Sequence, residues 1–222
     1  MVFLPFLVDW VAVNVILFLI VLPIVFLLFY IASYNKKVKD TQRRILDVEI
    51  LEFIDGQIDG TVSTKMLRDK SGLTKYEASA RLQNLATQGL LRMSYSAKMK
   101  AFYKLRKPFD KRDPPTLSEE PFLTVQDVLT LFKHFDFAPD LQDLVIATRL
   151  PVKVIMREMR YFQKEKIIQI LYGSTDGMGT ATGSKSFVLE EPYRSNPDKF
   201  LAKEERLNLE LREVLVKDSL LV

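Results

Sequence analysis

The stretch SGLTKYEASARLQNLATQGLLRMSYS, residues 71–96, decides the fold. Thr74 and Glu77 stand three apart, the spacing of a capping box in which each side chain bonds the other's free backbone N–H. Ala78, Leu82, Leu85 and Ala86 recur at helical spacing and predict an inward stripe on a helix from Thr74 to Gln88. Gly89 follows as a left-handed stop. Leu90, Leu91, Met93 and Tyr95 then read as a strand.

Upstream, a helical pattern starts near Thr41, with Ile45, Val48, Leu51 and Ile54 inward and Asp47, Glu49, Glu52 and Asp55 expected to face water. Gly56 and Gly60 end it. Ser63 is placed to cap a short helix carrying Met66 and Leu67, which Gly72 closes. Downstream, residues 97–100 form a turn, and Phe102, Tyr103 and Leu105 return as a second strand. The phrase LRDKSGLTKYEASARLQNLATQGLL, residues 67–91, resembles the helix-turn-helix and wing of the winged helix-turn-helix superfamily. That resemblance covers residues 41–107. It implies three helices and a two-stranded wing, and it implies either DNA reading or protein docking, because this fold serves both.

The same order recurs. DKRDPPTLSEEP, residues 110–121, is a linker by its proline and charge. Thr124 and Asp127 open a helix with Val125, Val128, Leu129, Phe132 and Phe135 as its stripe. Asp140 caps a second carrying Leu141, Leu144 and Val145. Pro151 suits the first position of a third helix, which runs through Ile155, Met159 and Phe162. IIQILYGS and SKSFVLEE supply two strands. The turn TRLPVK lacks the glycine of KSGLTK. From Asn196 onward, Phe200, Leu201, Leu207, Leu211, Val214 and Leu215 predict an amphipathic helix. It packs on the second repeat, or it serves self-association or a protein partner.

Val11 to Ile31 carry no charge, and a hydrocarbon core needs roughly 20 helical residues to cross. Trp10, Tyr30 and Tyr34 stand where interfacial aromatics belong. Lys36, Lys37, Lys39, Arg43 and Arg44 follow the span and no cation precedes it. This predicts residues 11–31 in an inner or plasma membrane, N-terminus outside, with the globular part in the cytoplasm and the five cations at the lipid surface. The expected fold class is thus mainly α with small β-hairpin wings. It comprises a transmembrane anchor over 1–34, a basic segment and first winged-helix domain over 35–112, a linker and second winged-helix domain over 113–195, and a C-terminal amphipathic helix over 196–222.

The chain has no Cys and one His, His134, which excludes disulfides, thiolate chemistry and multi-histidine metal sites. DGMGTATGSKS, residues 176–186, fails as a phosphate loop. Three residues rather than four separate Gly179 from Gly183, Ser184 precedes Lys185, and a strand follows where a helix is needed. The adjacent glutamate pairs Glu119–Glu120, Glu190–Glu191 and Glu204–Glu205 sit in polar contexts without a cleft to separate their roles. The expectation is no enzyme, no metal and no cofactor.

Residues 36–112 hold 18 Lys and Arg against 9 Asp and Glu, whereas residues 113–222 hold 14 against 18. Within the first half, residues 45–91 hold five cations and seven acids, and residues 92–112 hold eight against Asp110 alone. The positive field lies in the wing, which points to an anionic partner. On DNA, Lys75, Tyr76, Ser79 and Gln83 would face the groove, and Arg92, Lys98, Lys100 and Lys104 the backbone. Lys153, Arg157, Arg160 and Lys164 share one face of the second repeat's third helix, as a further DNA face or a solvated stripe. Two functions follow: a membrane-anchored tandem winged-helix protein that binds DNA mostly through backbone contacts, as a regulator or chromosome tether, or a membrane-anchored docking scaffold without DNA binding.

Overall fold

The computed structural model describes residues 21–26, 41–42, 44–109, 112–173 and 183–217. The chain divides into two compact units, Met1–Arg43 and Arg44–Val222. In the first, residues 21–26 are helical. The rest of the expected span, and Lys36, Lys37, Lys39 and Arg43 beside it, lie outside the described residues.

The second unit opens with α1 (Asp47–Asp55), β1 (Thr61–Ser63), α2 (Thr64–Ser71) and α3 (Lys75–Thr87), followed by the hairpin β2 (Leu91–Tyr95) and β3 (Ala101–Leu105). The Ser63 hydroxyl accepts from Met66 N, and Gly72 closes α2 at φ +67°, a conformation that glycine adopts without a Cβ penalty. Thr74 and Glu77 form the box their spacing predicts: Thr74 N donates to Glu77 Oε2 at 2.8 Å, and Glu77 N to Thr74 Oγ1 at 3.3 Å. β1 is the strand sequence reasoning missed, three residues being too few to show alternation. It pairs antiparallel with β3, so the sheet order is β1-β3-β2.

The second repeat runs α4 (Val125–His134), α5 (Leu141–Thr148), α6 (Val152–Lys164), β4 (Ile168–Tyr172) and β5 (Lys185–Leu189), then α7 (Asp198–Leu201) and α8 (Glu204–Lys217). Thr124 and Asp140 cap α4 and α5 through Asp127 and Asp143. Where the first repeat has Gly72, the second places Arg149 in the left-handed region at φ +57°, a cost of about 1 kcal/mol for a residue with a Cβ. Pro151 precedes α6 rather than opening it, and it offers no side-chain cap. β4 and β5 form a separate two-stranded sheet. Phe200, Leu207 and Leu211 are buried, so the first part of the C-terminal stripe joins the core. Asn208 Oδ1 accepts from Val125 N at 3.1 Å.

These findings correct the expected fold class. The described residues are mixed α/β, with a three-stranded and a two-stranded sheet in place of simple hairpin wings on a helical body. Among the described residues, no helix is long and apolar enough to cross a membrane, and of the expected span over 11–31 only residues 21–26 are among them.

One continuous core joins both repeats, running from Val48, Leu51, Leu82 and Leu91 to Leu144, Ile155, Phe162 and Phe200. The largest departure from helical patterning lies at its edge. Asp47, expected in water, is 4 % exposed. One carboxylate oxygen meets Arg81 Nη2 at 2.7 Å, and the other accepts from Val152 N at 2.9 Å, so α1 caps the helix Pro151 leaves uncapped. Arg81 Nη2 also donates to Ile45 O at 3.0 Å. Asp47→Ala strands a buried guanidinium, and the unfolding free energy should fall by about 3–5 kcal/mol. Asp47→Ala with Arg81→Met should recover most of it, leaving about 1 kcal/mol for the lost cap. Urea unfolding of the two variants checks both values.

Glu158 is a second buried carboxylate. It accepts from Leu123 N at 2.9 Å and from Arg157 Nη2 at 3.1 Å. Burial raises its pKa to about 7 from an ordinary 4.5, against the lowering by Leu123 N–H and Arg157, while Asp127 adds to the rise. The folded state therefore holds this proton more tightly than the unfolded chain. Its contribution is fully present below pH 4.5 and is lost as pH rises through 7, by about 3 kcal/mol. Glu158→Gln keeps an oxygen for Leu123 N–H and cannot ionise. Unfolding at pH 4.5 and pH 8 should show the variant gaining on the parent by about that amount at the higher pH.

Candidate nucleic-acid interface

Capping and the Gly72 turn set the N-terminus of α3 outward. Ala78, Leu82, Leu85 and Ala86 face the core, which leaves Lys75, Tyr76 and Gln83 exposed and Ser79 half-buried. Tyr76 is 57 % exposed. Lys75, Ser79 and Gln83 lie four apart and share one line of the helix surface.

Register builds the second group. Arg92 stands opposite Lys104, and Lys104 opposite Thr61, so these three side chains share the solvent face of the sheet. The turn that follows is closed by Ser96 N to Lys100 O at 2.9 Å and Lys100 N to Ser96 Oγ at 3.2 Å. Met99 takes φ +56° within it, and Lys98 and Lys100 are exposed at its tip. The structure thus brings Arg92 and Lys104 side by side, sets Lys98 and Lys100 at the hairpin end, and lines Lys75, Ser79 and Gln83 on α3. The two groups approach at Tyr103. Burial raises its phenol pKa, nearby Tyr95 adds to this, and Gln83 beside it acts the other way.

Sequence reasoning missed the apolar part of this surface. Leu91, Met93 and Tyr95 alternate onto one face of β2, yet only Leu91 is buried. Met93 is 43 % exposed, Tyr95 58 % and Met99 78 %. The hairpin outruns the core, and alternation marks the face of a strand without marking where its cover ends.

The wing cations divide into two sets. Lys107 Nζ bonds Asp140 Oδ2 at 2.8 Å and Asp143 Oδ1 at 2.7 Å. Burial lowers its pKa, but the two carboxylates outweigh that and leave it above the ordinary lysine value. Arg112 meets Asp136 at 3.4 Å and donates to His134 O at 2.7 Å. Both are taken up within the fold. Lys75, Lys98, Lys100 and Lys104, by contrast, pair with no carboxylate among the described residues. Arg44, expected at a lipid surface, lies 3.9 Å from Glu77.

The second repeat offers no equivalent of α3. Val152, Val154, Ile155 and Met156 are all buried and Val152 N is held by Asp47, so the first turn of α6 faces the protein. Lys153 and Arg157 are half-buried, Arg157 beside Glu158. Only Arg160 and Lys164 of the four-cation stripe are exposed. Among the described residues, no group of three His, Asp or Glu is placed to hold a metal ion. No protein-family model matches the chain, and no curated protein matches it.

Proposed function

We propose that the protein binds duplex DNA through the first repeat, largely by backbone contacts. The observation that carries this reading is the set of exposed lysines on one hairpin, Lys98, Lys100 and Lys104, left without carboxylate partners while the neighbouring Lys107 is neutralised. Cations held outside the fold cost nothing to desolvate within it, and phosphates release counterions when they meet them. Tyr95 and Met99 among these lysines supply faces that rest against sugar or base edges. Lys75 and Gln83 are the α3 residues able to reach base edges, and Tyr76 and Ser79 are suited to phosphate oxygens. With one cation on that line, sequence preference is modest and salt dependence strong.

A second reading, docking to a protein, draws on Met93, Tyr95 and Met99, whose apolar surface beside cations also fits an acidic partner with exposed hydrophobic side chains. Salt titration of DNA affinity separates the two. Replacing Lys98, Lys100 and Lys104 by Ala in the full chain should flatten the slope of log affinity against log salt by roughly 2.7, at about 0.9 per phosphate. Lys75→Ala with Gln83→Ala should alter preference between sequences and move the slope by no more than about one contact. DNA affinity that is absent at low salt, or indifferent to the three lysines, gives the surface to a protein partner.

A further inference from the structure

The sheet of the first repeat ends on β2, because its order is β1-β3-β2. Opposite residues of an antiparallel pair alternate between those that exchange backbone hydrogen bonds and those that do not. Arg106 N donates to Leu90 O at 3.1 Å and Ser96 N to Lys100 O at 2.9 Å, on the register that sets Arg92 against Lys104 and Ser94 against Phe102. Arg92 and Ser94 therefore turn their backbone groups toward β3. The N–H and C=O of Met93 and Tyr95 point the other way, along the outer edge.

Among the described residues, Met93 and Tyr95 make no backbone hydrogen bond outside the ladder. Arg92 to Tyr95 are exposed in succession. Other edges are guarded. β1, on the opposite side of the sheet, has only three residues. The outer edge of β5 is taken by Pro139 O, which accepts from Phe187 N at 2.9 Å, and by a bridge from Asp140 to Ser186. Folded proteins protect edges by shortness, proline, charge or cover, since an open edge is a template for another strand. β2 has neither proline nor such cover.

The two faces of this edge differ. Met93 and Tyr95 lie on the face of buried Tyr103 but remain exposed past the core. Lys104 lies on the opposite face, and Lys98 and Lys100 at the adjoining tip, none of them paired with a carboxylate among the described residues. An added strand would set one row of side chains against Met93 and Tyr95 and the other in the field of these lysines. A second copy of β2 would bring more cations into that field. The lysines thus guard the edge against its own kind and favour a strand with carboxylates at alternate positions.

We propose that β2 binds an extended segment of another protein, apolar and acidic by turns, as an added antiparallel strand. Its apolar residues stand opposite Met93 and Tyr95 and exchange backbone hydrogen bonds with them, and its carboxylates lie on the Lys104 face. The inference does not rest on DNA binding by the wing.

Calorimetric titration of the full chain with acetyl-Thr-Glu-Val-Glu-Val-Glu-Thr-amide tests it. The peptide should bind saturably with a Kd below about 1 mM, and its counterpart with lysine in place of glutamate should bind roughly tenfold more weakly or less. N-methylation of both valines removes the donors that face β2 and should abolish binding to the unaltered protein. Met93→Pro removes an outward N–H that β3 does not use, a change an edge strand accommodates. It should weaken the peptide by about tenfold or more, whereas Met93→Ala keeps the N–H and should stay within about fivefold of the parent. Met93→Pro should leave the salt dependence of DNA affinity as it is, so loss of the peptide and loss of DNA binding are separate results. No saturable binding below about 5 mM, or affinity indifferent to valine methylation, overturns the proposal. So does a dimer in sedimentation that Met93→Pro dissolves, which gives the edge to a second copy.

Discussion

A carboxylate buried at the junction of the repeats must be compensated on both oxygens, and Asp47 meets that demand by binding three elements at once. Arg81 of α3 neutralises it and Val152 N of α6 hydrogen-bonds it, while Arg81 reaches back to Ile45 O just before α1. Such a group is stable only when every partner stays in place, because an unpaired charge in the interior costs several kcal/mol. The helix of the second repeat has no serviceable cap of its own, since Pro151 carries no side-chain acceptor. The repeats are therefore coupled: α6 is completed by a residue more than a hundred positions earlier. Arg149 to Glu52 at 2.6 Å and Lys107 to Asp140 and Asp143 reinforce the same seam.

This coupling has a functional consequence. Using the start of α6 to join the repeats buries the four apolar side chains of its first turns and removes that helix end from any external groove. The corresponding start of α3 is closed by its own box, Thr74 with Glu77, and needs no neighbour. One repeat thus presents its third helix, and the other spends its third helix on assembly.

Much of this was legible in the residues. The 74–77 box, the stop at Gly89, the inward stripe of Ala78, Leu82, Leu85 and Ala86, and the repeated helix order all follow from local rules that act within a few residues. What escaped was set by distance. Asp47 lies in a polar register of α1 and gives no local sign of the guanidinium 34 positions away. β1 becomes a strand because β3 offers it a ladder, and three residues alone cannot declare that. For the candidate interface, sequence counted eight cations between Arg92 and Arg112, but only the fold shows which of them it consumes.

That division separates two uses of positive charge on one short segment. Lys107 anchors the cap of α5 because Asp140 and Asp143 already satisfy α5's backbone donors and their remaining charge needs neutralising. Lys98 and Lys100 lie at the hairpin end past the core and Lys104 on the solvent face of the sheet, none of them paired with a carboxylate among the described residues. Mutual repulsion among exposed like charges is weak in water and salt, so the fold tolerates them at little cost. An anionic polymer laid across them gains from every one.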